Sequence, residues 1–396
     1  MKSRILLILA IIIIQTGCVK EELVHSPSAT TVADRTLLVY LAGDNNLWHY
    51  MDKNIAGIRT GMKAEGISAA TKVVIYYDTP YELPRLTEIT TAGEKVLKEY
   101  PELNSASGTT LGQVVEDMLQ LSPARHYGLV LGSHGTGWIP ASAIGELTRS
   151  NRIKPDDWPE TRFFGEDVSA NPVGYMDLNE LAGALPDKLF EYILFDACYM
   201  GAVEVAYALR NKADYIISSP AEIVADGFPY EQILPAMLAR NPDLTSVCSG
   251  FFNFYAEHGD ERYHSATVSL VRTAGLHQLW QIVNEISQEA LEYNPEVFNE
   301  MDVQSIQHYD RYSRHFMYDL EEVVESMVTT CRIAAEKKVR FNNVLSTTVL
   351  YEAHTPYSFG ESVWTSSGLS MYVPTQNNAV LNKQYKELEW NPFNLL

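Results

Sequence analysis

Metal-ligand spacings, a disulfide framework and a membrane-crossing run are all missing from this chain. Its 396 residues include four cysteines with no CxxC pair, and none of its ten histidines falls in an H-E-x-x-H arrangement. No zinc site, stapled scaffold or zincin peptidase is therefore expected, and no EF-hand spacing marks a calcium loop. The ten apolar residues from Ile5 to Ile14 are too few to cross a bilayer as a helix. Positive charge is scarce too. The 30 Lys and Arg face 50 Asp and Glu, a net charge of −20, and such a surface repels phosphate backbones while attracting cations. A nucleic-acid partner is not expected, whereas a basic peptide suits the charge.

What is present is a composition 46% hydrophobic and 11% aromatic, enough for a substantial core at this length. Lys2 and Arg4 ahead of Ile5–Ile14 give the plan of an export signal. Gln15-Thr16-Gly17-Cys18 then places small residues before a cysteine and resembles the lipobox at which bacterial lipoproteins are cleaved and lipidated, with Gln15 where that pattern usually has Leu. An ordinary signal peptide cut near Gly17 is the alternative. Cys18-Val19-Lys20-Glu21-Glu22 resembles the tag that sends some Gram-negative lipoproteins to the outer face of the outer membrane. These resemblances imply a lipid on Cys18, attachment to the membrane through it, and display at the cell surface. Residues 23–33 are small and polar, a tether, so folding is expected to begin near Asp34.

Apolar runs of strand length recur at Thr36 to Leu41, Lys72 to Tyr77, Tyr127 to Ser133, Tyr192 to Asp196 and Tyr215 to Ser218. Between them lie helical stripes, one at Leu111, Val114, Val115, Met118 and Leu119 after a Thr109-Thr110 cap, another at Val203, Val205, Ala206 and Leu209. Strands apolar throughout, alternating with amphipathic helices, indicate a mostly parallel sheet covered on both faces. Beyond about residue 235 the pattern turns mainly helical, around Leu276 to Ile286 and Leu320 to Ala334, with strand-like segments at Asn343 to Leu350 and Gly368 to Val373.

The chemistry gathers at two strand ends. His134 closes the run Gly128 to Ser133, and 64 residues later Cys198 closes the run Tyr192 to Ala197. In a doubly wound sheet ligands bind beyond the carboxyl ends of the strands, so a thiol and an imidazole there can meet as nucleophile and base. A helix expected to start near Met200 would present N–H groups that favour a Cys198 thiolate, and the amides of Gly135 and Cys198 could hold an oxyanion. Taken singly, His134 could end a strand and Cys198 could fill core; together at matched ends they read as a pair. That reading requires the sulfur to stand open to solvent beside the ring. A serine hydrolase is excluded, because Gly132-Ser133-His134-Gly135 lacks the G-x-S-x-G elbow. Cys248 and Cys331, among apolar neighbours, read as small core residues.

The stretch Leu121 to Trp138, ending Gly132-Ser133-His134-Gly135-Thr136-Gly137-Trp138, resembles the histidine motif of clostripain-like cysteine peptidases. Phe195 to Tyr207, beginning Phe195-Asp196-Ala197-Cys198, resembles their nucleophile motif. Likeness continues through Val39 to Leu47, Ala213 to Pro220, Asp226 to Tyr230, Tyr318 to Leu320 and Gly368 to Pro374, most thinly between residues 236 and 310. The resemblance implies a caspase-like three-layer α/β/α sandwich with a mostly parallel central sheet and a helical C-terminal extension contributing late strands. The chain is thus expected to divide into a signal peptide (1–17), lipidated Cys18 with its tether (18–33), a caspase-like catalytic core (34–235) and a C-terminal helical region (236–396) completing the same unit. The resemblance also implies a His134/Cys198 dyad with no required third member, and cleavage after Arg or Lys.

A cationic P1 side chain needs a carboxylate, and Asp196 sits two residues before Cys198, so strand alternation points both the same way. A helix-capping role is the alternative for Asp196. Asp226 matches a second acidic position of the family pocket. Family members are often zymogens that cut themselves between the two motifs, and the polar loop from Trp138 to about Val173 carries Arg149, Arg152 and Lys154 as candidate bonds, or simply as solvated basic residues. Some relatives need calcium, for which Asp156, Asp157, Glu160, Glu166 and Asp167 offer oxygens; the sequence itself requires no cofactor, and no metal residues are assigned. Two other readings stay open: a non-catalytic lipoprotein binding basic peptides or a partner, and a same-clan peptidase with another P1 choice.

Overall fold

A computed structural model describes residues 32–140, 143, 175–311 and 315–394. Cys18, the basic residues Arg149, Arg152 and Lys154, and the acidic residues between 156 and 167 lie outside the described residues. Residues from Val32 onward form one compact unit.

The principal strands are β1 (Ala33–Ala42), β2 (Thr71–Asp78), β3 (Arg85–Thr90), β4 (Gly93–Glu99), β5 (Ala124–Gly132), β6 (Phe190–Asp196), β7 (Ala213–Ser218), β8 (Thr267–Arg272), the short β9 (Tyr318–Asp319), which pairs with a two-residue strand at Ser370–Met371, and β10 (Val349–His354). All but β9 join one nine-stranded sheet in the order β10-β8-β7-β6-β5-β1-β2-β3-β4. β2, β1, β5, β6 and β7 are parallel; β3 and β4 on one side, β8 and β10 on the other, are antiparallel. The parallel strands are buried almost end to end, as in β1 from Arg35 to Ala42, because helices cover both faces and leave no polar alternation to read.

The principal helices are α1 (Trp48–Gly61), α2 (Gly108–Leu121), α3 (Leu178–Ala184), α4 (Val203–Ala208), α5 (Tyr230–Leu238), α6 (Leu244–Ala256), α7 (Leu276–Tyr293), α8 (Leu320–Thr330) and α9 (Ala335–Thr348). α1 packs on α5 and α5 on α6, while a second group links α2 to α3, α3 to α4, and α4 to α7, against which α8 and α9 lie. The result is an α/β sandwich around a mostly parallel sheet.

Several local expectations change. Asn343 to Leu350 is not a strand: α9 runs to Thr348, burying Phe341, Leu345 and Thr348 at helical spacing, and only then does β10 begin. The β-branched Val344, Thr347 and Thr348 at its end, followed by Val349 of β10, disguise that period. β8 lies in the region read as mainly helical, and five of its six residues are fully buried. α2 is capped by Ser107, whose hydroxyl accepts from the Thr110 amide at 3.4 Å, and not by Thr109-Thr110.

Candidate active site

β5 and β6 run side by side with Gly132 opposite Asp196. Two residues beyond that matched pair the chain reaches His134 on one side and Cys198 on the other. The two residues thus hold corresponding positions past the paired strand ends. Strand order reverses one strand over, between β1 and β5, where such sheets form a ligand-binding crevice; His134 at the end of β5 borders that switch point, and Cys198 lies one strand further from it.

Gly135 ties the two strand ends together. A Cβ on it would lie 2.4 Å from the Cys198 carbonyl oxygen and 3.2 Å from the Cys198 amide nitrogen, so the two backbones touch and only glycine fits. His134 is 9% exposed, and its Nε2 lies 2.8 Å from Oδ1 of Asn46, just past β1. An amide oxygen only accepts, so the contact puts the proton on Nε2 and leaves Nδ1 as the basic nitrogen of the neutral ring. A cavity of about 110 Å³ opens beside His134, taking in Ala197 and Met200 on either side of Cys198 along with Leu131 and Phe195.

Cys198 departs from the sequence expectation: it is 0% exposed. The segment after β7 folds over it, with Ala221, Ile223, Val224 and Ala225 all buried. The Ile223 amide donates to Sγ at 3.2 Å, and Sγ faces the Ile223 carbonyl at 3.8 Å. The helix expected near Met200 begins only at Val203 and spans six residues, so its N-terminus does not serve the sulfur. A turn intervenes, with Tyr199 at φ +62°. Tyr199 donates its amide to the Ala221 carbonyl at 3.0 Å, and Gly201 donates to Ser219 at 2.8 Å. The hydrogen-bond donor that sequence reasoning sought in a helix is supplied instead by Ile223.

Asp196 is fully buried and accepts at Oδ2 from the Tyr230 hydroxyl at 3.0 Å. Asp226, four residues before Tyr230, holds Lys53 of α1 at 3.1 Å and accepts at its carbonyl from Asn54 at 2.7 Å. The other two described cysteines are unlike a nucleophile: burial pushes the Cys248 and Cys331 thiols up in pKa. Sequence reasoning missed Asn46, Glu222, Ile223 and Arg311. Only Asn46 carried a signal, as a polar residue directly past a strand end at the switch point. Among the described residues no group of acidic, histidine and cysteine side chains could hold a metal ion, and no helix is long and apolar enough to cross a membrane.

A mostly parallel α/β sandwich with an imidazole and a thiol beyond adjacent strand ends is the layout of a caspase-like cysteine peptidase. The chain belongs to the clostripain family, whose model matches residues 39–394. Among solved structures it is similar to an inactive zymogen C11 protease from Parabacteroides distasonis, with 33% identity and a TM-score of 0.75 over 91% of this chain and 97% of that one. A secreted C11 cysteine protease from Bacteroides thetaiotaomicron, in complex with an irreversible peptide inhibitor, is 27% identical, with a TM-score of 0.73 over 90% and 98%. A second structure of a secreted C11 protease from that organism, called iotapain, is 26% identical, with a TM-score of 0.75 over 92% and 99%. No curated protein matches the chain. The protein is a cysteine-type peptidase.

Proposed function

We propose that the chain is a lipid-anchored, surface-displayed endopeptidase cleaving after Arg or Lys, with Cys198 as nucleophile and His134 as general acid and base. The observation that carries this reading is the register of β5 on β6, which sets His134 and Cys198 equally far beyond the Gly132–Asp196 pair. The Cys198 thiolate attacks the scissile carbonyl carbon, and the resulting oxyanion takes hydrogen bonds from the Gly135 and Cys198 amides. His134 gives its proton to the departing amine, leaving a thioester. It then removes a proton from water, whose oxygen attacks the thioester, and the carboxylate product and thiolate separate. Asp196, and Asp226 once Lys53 leaves it, draw the cationic P1 side chain into place.

The buried sulfur supports a latent uncut chain, activated when a bond in the 138–173 loop, at Arg149, Arg152 or Lys154, is cut by another copy or by the same molecule. A lipid on Cys18 would hold the enzyme at the outer membrane. None of these steps calls on calcium.

The test is hydrolysis of arginyl and lysyl fluorogenic peptides by the purified chain, with intact masses recorded beside Cys198→Ala. Wild type should cleave the peptides and form a chloromethylketone adduct on Cys198, and Asp196→Asn should lose most turnover while still folding. Hydrolysis that survives in Cys198→Ala overturns the nucleophile, unchanged Asp196→Asn kinetics overturn the pocket, and identical intact masses end self-processing. Palmitate labelling that persists in Cys18→Ala rules out the anchor.

A further inference from the structure

A buried ion pair stands directly behind Cys198. Arg311 and Glu222 meet with Nη2 at 2.6 Å from Oε2 and Nε at 3.3 Å from Oε1, their side chains 3% and 2% exposed. Buried pairs of this kind rarely improve on apolar filler as a source of stability, so a positional reason for keeping one is worth seeking. Glu222 also accepts from the Tyr199 hydroxyl at 2.7 Å. Its two neighbours in this network are the two that flank the sulfur: Tyr199 follows Cys198 in sequence, and Ile223 follows Glu222 and donates its amide to Sγ. Tyr199 holds a positive φ that bulky residues adopt only when their surroundings impose it.

Resting on the proposed nucleophilic role of Cys198, we propose that Glu222 and Arg311 are positioning residues which clamp Tyr199 on one side and Ile223 on the other, fixing the sulfur and aiming the Ile223 amide at its thiolate. A donated N–H favours thiolate over thiol, and a fixed sulfur removes the search for an attack geometry. Burial opposes the Arg311 charge, but Glu222 more than offsets it, with smaller contributions from Tyr199 and Cys198, so the guanidinium is held more firmly charged than usual. Its plane also lies over the Phe359 ring at 4.9 Å, a second restraint from the C-terminal region.

The clamp is tested in the full chain with Tyr199→Phe, Arg311→Lys and Glu222→Gln, reading the kcat and KM of peptide hydrolysis and the pH dependence of Cys198 alkylation by iodoacetamide. Tyr199→Phe removes one hydroxyl and leaves the ion pair whole, so it remains informative if Glu222→Gln fails to fold. It should lower kcat about tenfold with KM little changed, and raise the alkylation midpoint by about one pH unit. Arg311→Lys, which keeps the charge but not the two-pronged grip, should fall between it and wild type. Folded Tyr199→Phe and Arg311→Lys proteins with wild-type kcat and an unmoved midpoint overturn the clamp. Absence of Cys198-dependent hydrolysis in wild type even after the 138–173 segment has been cut overturns instead the reading beneath it, and the alkylation midpoint still reports on the clamp.

Discussion

Asn46 contributes one amide oxygen, and under the proposed mechanism that atom decides which nitrogen of His134 can act as base. Asn46→Ala removes the oxygen that the ring meets at 2.8 Å, and should lower kcat about tenfold while KM stays near wild type. Asn46→Asp keeps an acceptor at the same place and should restore most of the loss; steady-state kinetics on one arginyl peptide distinguish the two. Lys53 makes a different case. Its ammonium sits on Asp226 at 3.1 Å, where a substrate cation is proposed to bind, but its side chain is 64% exposed. Such surface pairs contribute at most about 1 kcal/mol, so freeing the carboxylate with Lys53→Met should reduce KM for arginyl peptides by no more than about fivefold. A KM that rises would mean that Lys53 helps hold the pocket and does not compete for it. Neither residue was expected from the chain alone. The Asn46 contact joins residues 88 positions apart, and the role of Lys53 depends on how α1 meets the turn before α5.

At the scale of elements, the contact between the β5 and β6 ends is made by backbone, and glycine marks it. Gly135→Ala would drive a methyl into the Cys198 carbonyl, a clash with main chain that cannot rotate away. It should cost about 2 kcal/mol or more in urea unfolding and abolish peptide hydrolysis. Gly183 in α3 is the control, since a methyl there meets nothing within 4 Å. Gly183→Ala should leave activity unchanged and stabilise by roughly 0.5 kcal/mol; equal effects at the two positions would contradict the tight approach at Gly135. The same contrast explains what the chain discloses. β1, β2, β5, β6 and β7 were legible because strands buried on both faces are unbroken apolar runs. β3 and β4 were not, since the outer strand mixes exposed charge with little apolar content. α9 was mistaken for strand because β-branched residues end it. The helix after Cys198 was placed three residues early, because Met200 and Ala202 are apolar while the turn is held by tertiary hydrogen bonds from Tyr199 to Ala221, from Gly201 to Ser219 and from Ser370 to Gly201. His134, Cys198 and Asp196 were legible as strand-end residues, whereas the sulfur's cover by Ile223 depends on a loop whose path no local pattern encodes.

Across the whole molecule, the C-terminal segment fastens both motifs. Ser370 donates its amide to the Gly201 carbonyl at 2.9 Å, and Trp138 packs on Tyr372 and Tyr385 with ring centroids 4.9 and 5.0 Å away. Glu204 of α4 lies at the centre of this junction, 1% exposed, with Oε1 accepting both the Tyr372 amide and the Tyr385 hydroxyl at 3.0 Å. Two donors on one oxygen suit a neutral acid that carries its proton on the other. Burial pushes the Glu204 carboxyl up to about 7 from the usual 4.5, with these hydrogen bonds opposing the rise. A raised folded-state pKa means that the native chain holds a proton which the unfolded chain releases. The stabilisation is therefore complete below about pH 4.5 and is lost as pH climbs through 7, by up to roughly 3 kcal/mol for a shift of this size. His315, opposed by burial but raised on balance by Asp310, and His354, raised chiefly by Glu352, add slopes of the same sign, so the wild-type profile alone does not isolate Glu204. Subtracting the profile of Glu204→Gln does, because the amide keeps the accepting oxygen and cannot titrate. Urea midpoints measured from pH 5 to 8 should show the variant gaining on wild type as pH rises. A difference that stays flat across that range would mean that Glu204 is already ionised in the native core, leaving a buried carboxylate held by the Tyr372 amide and the Tyr385 hydroxyl.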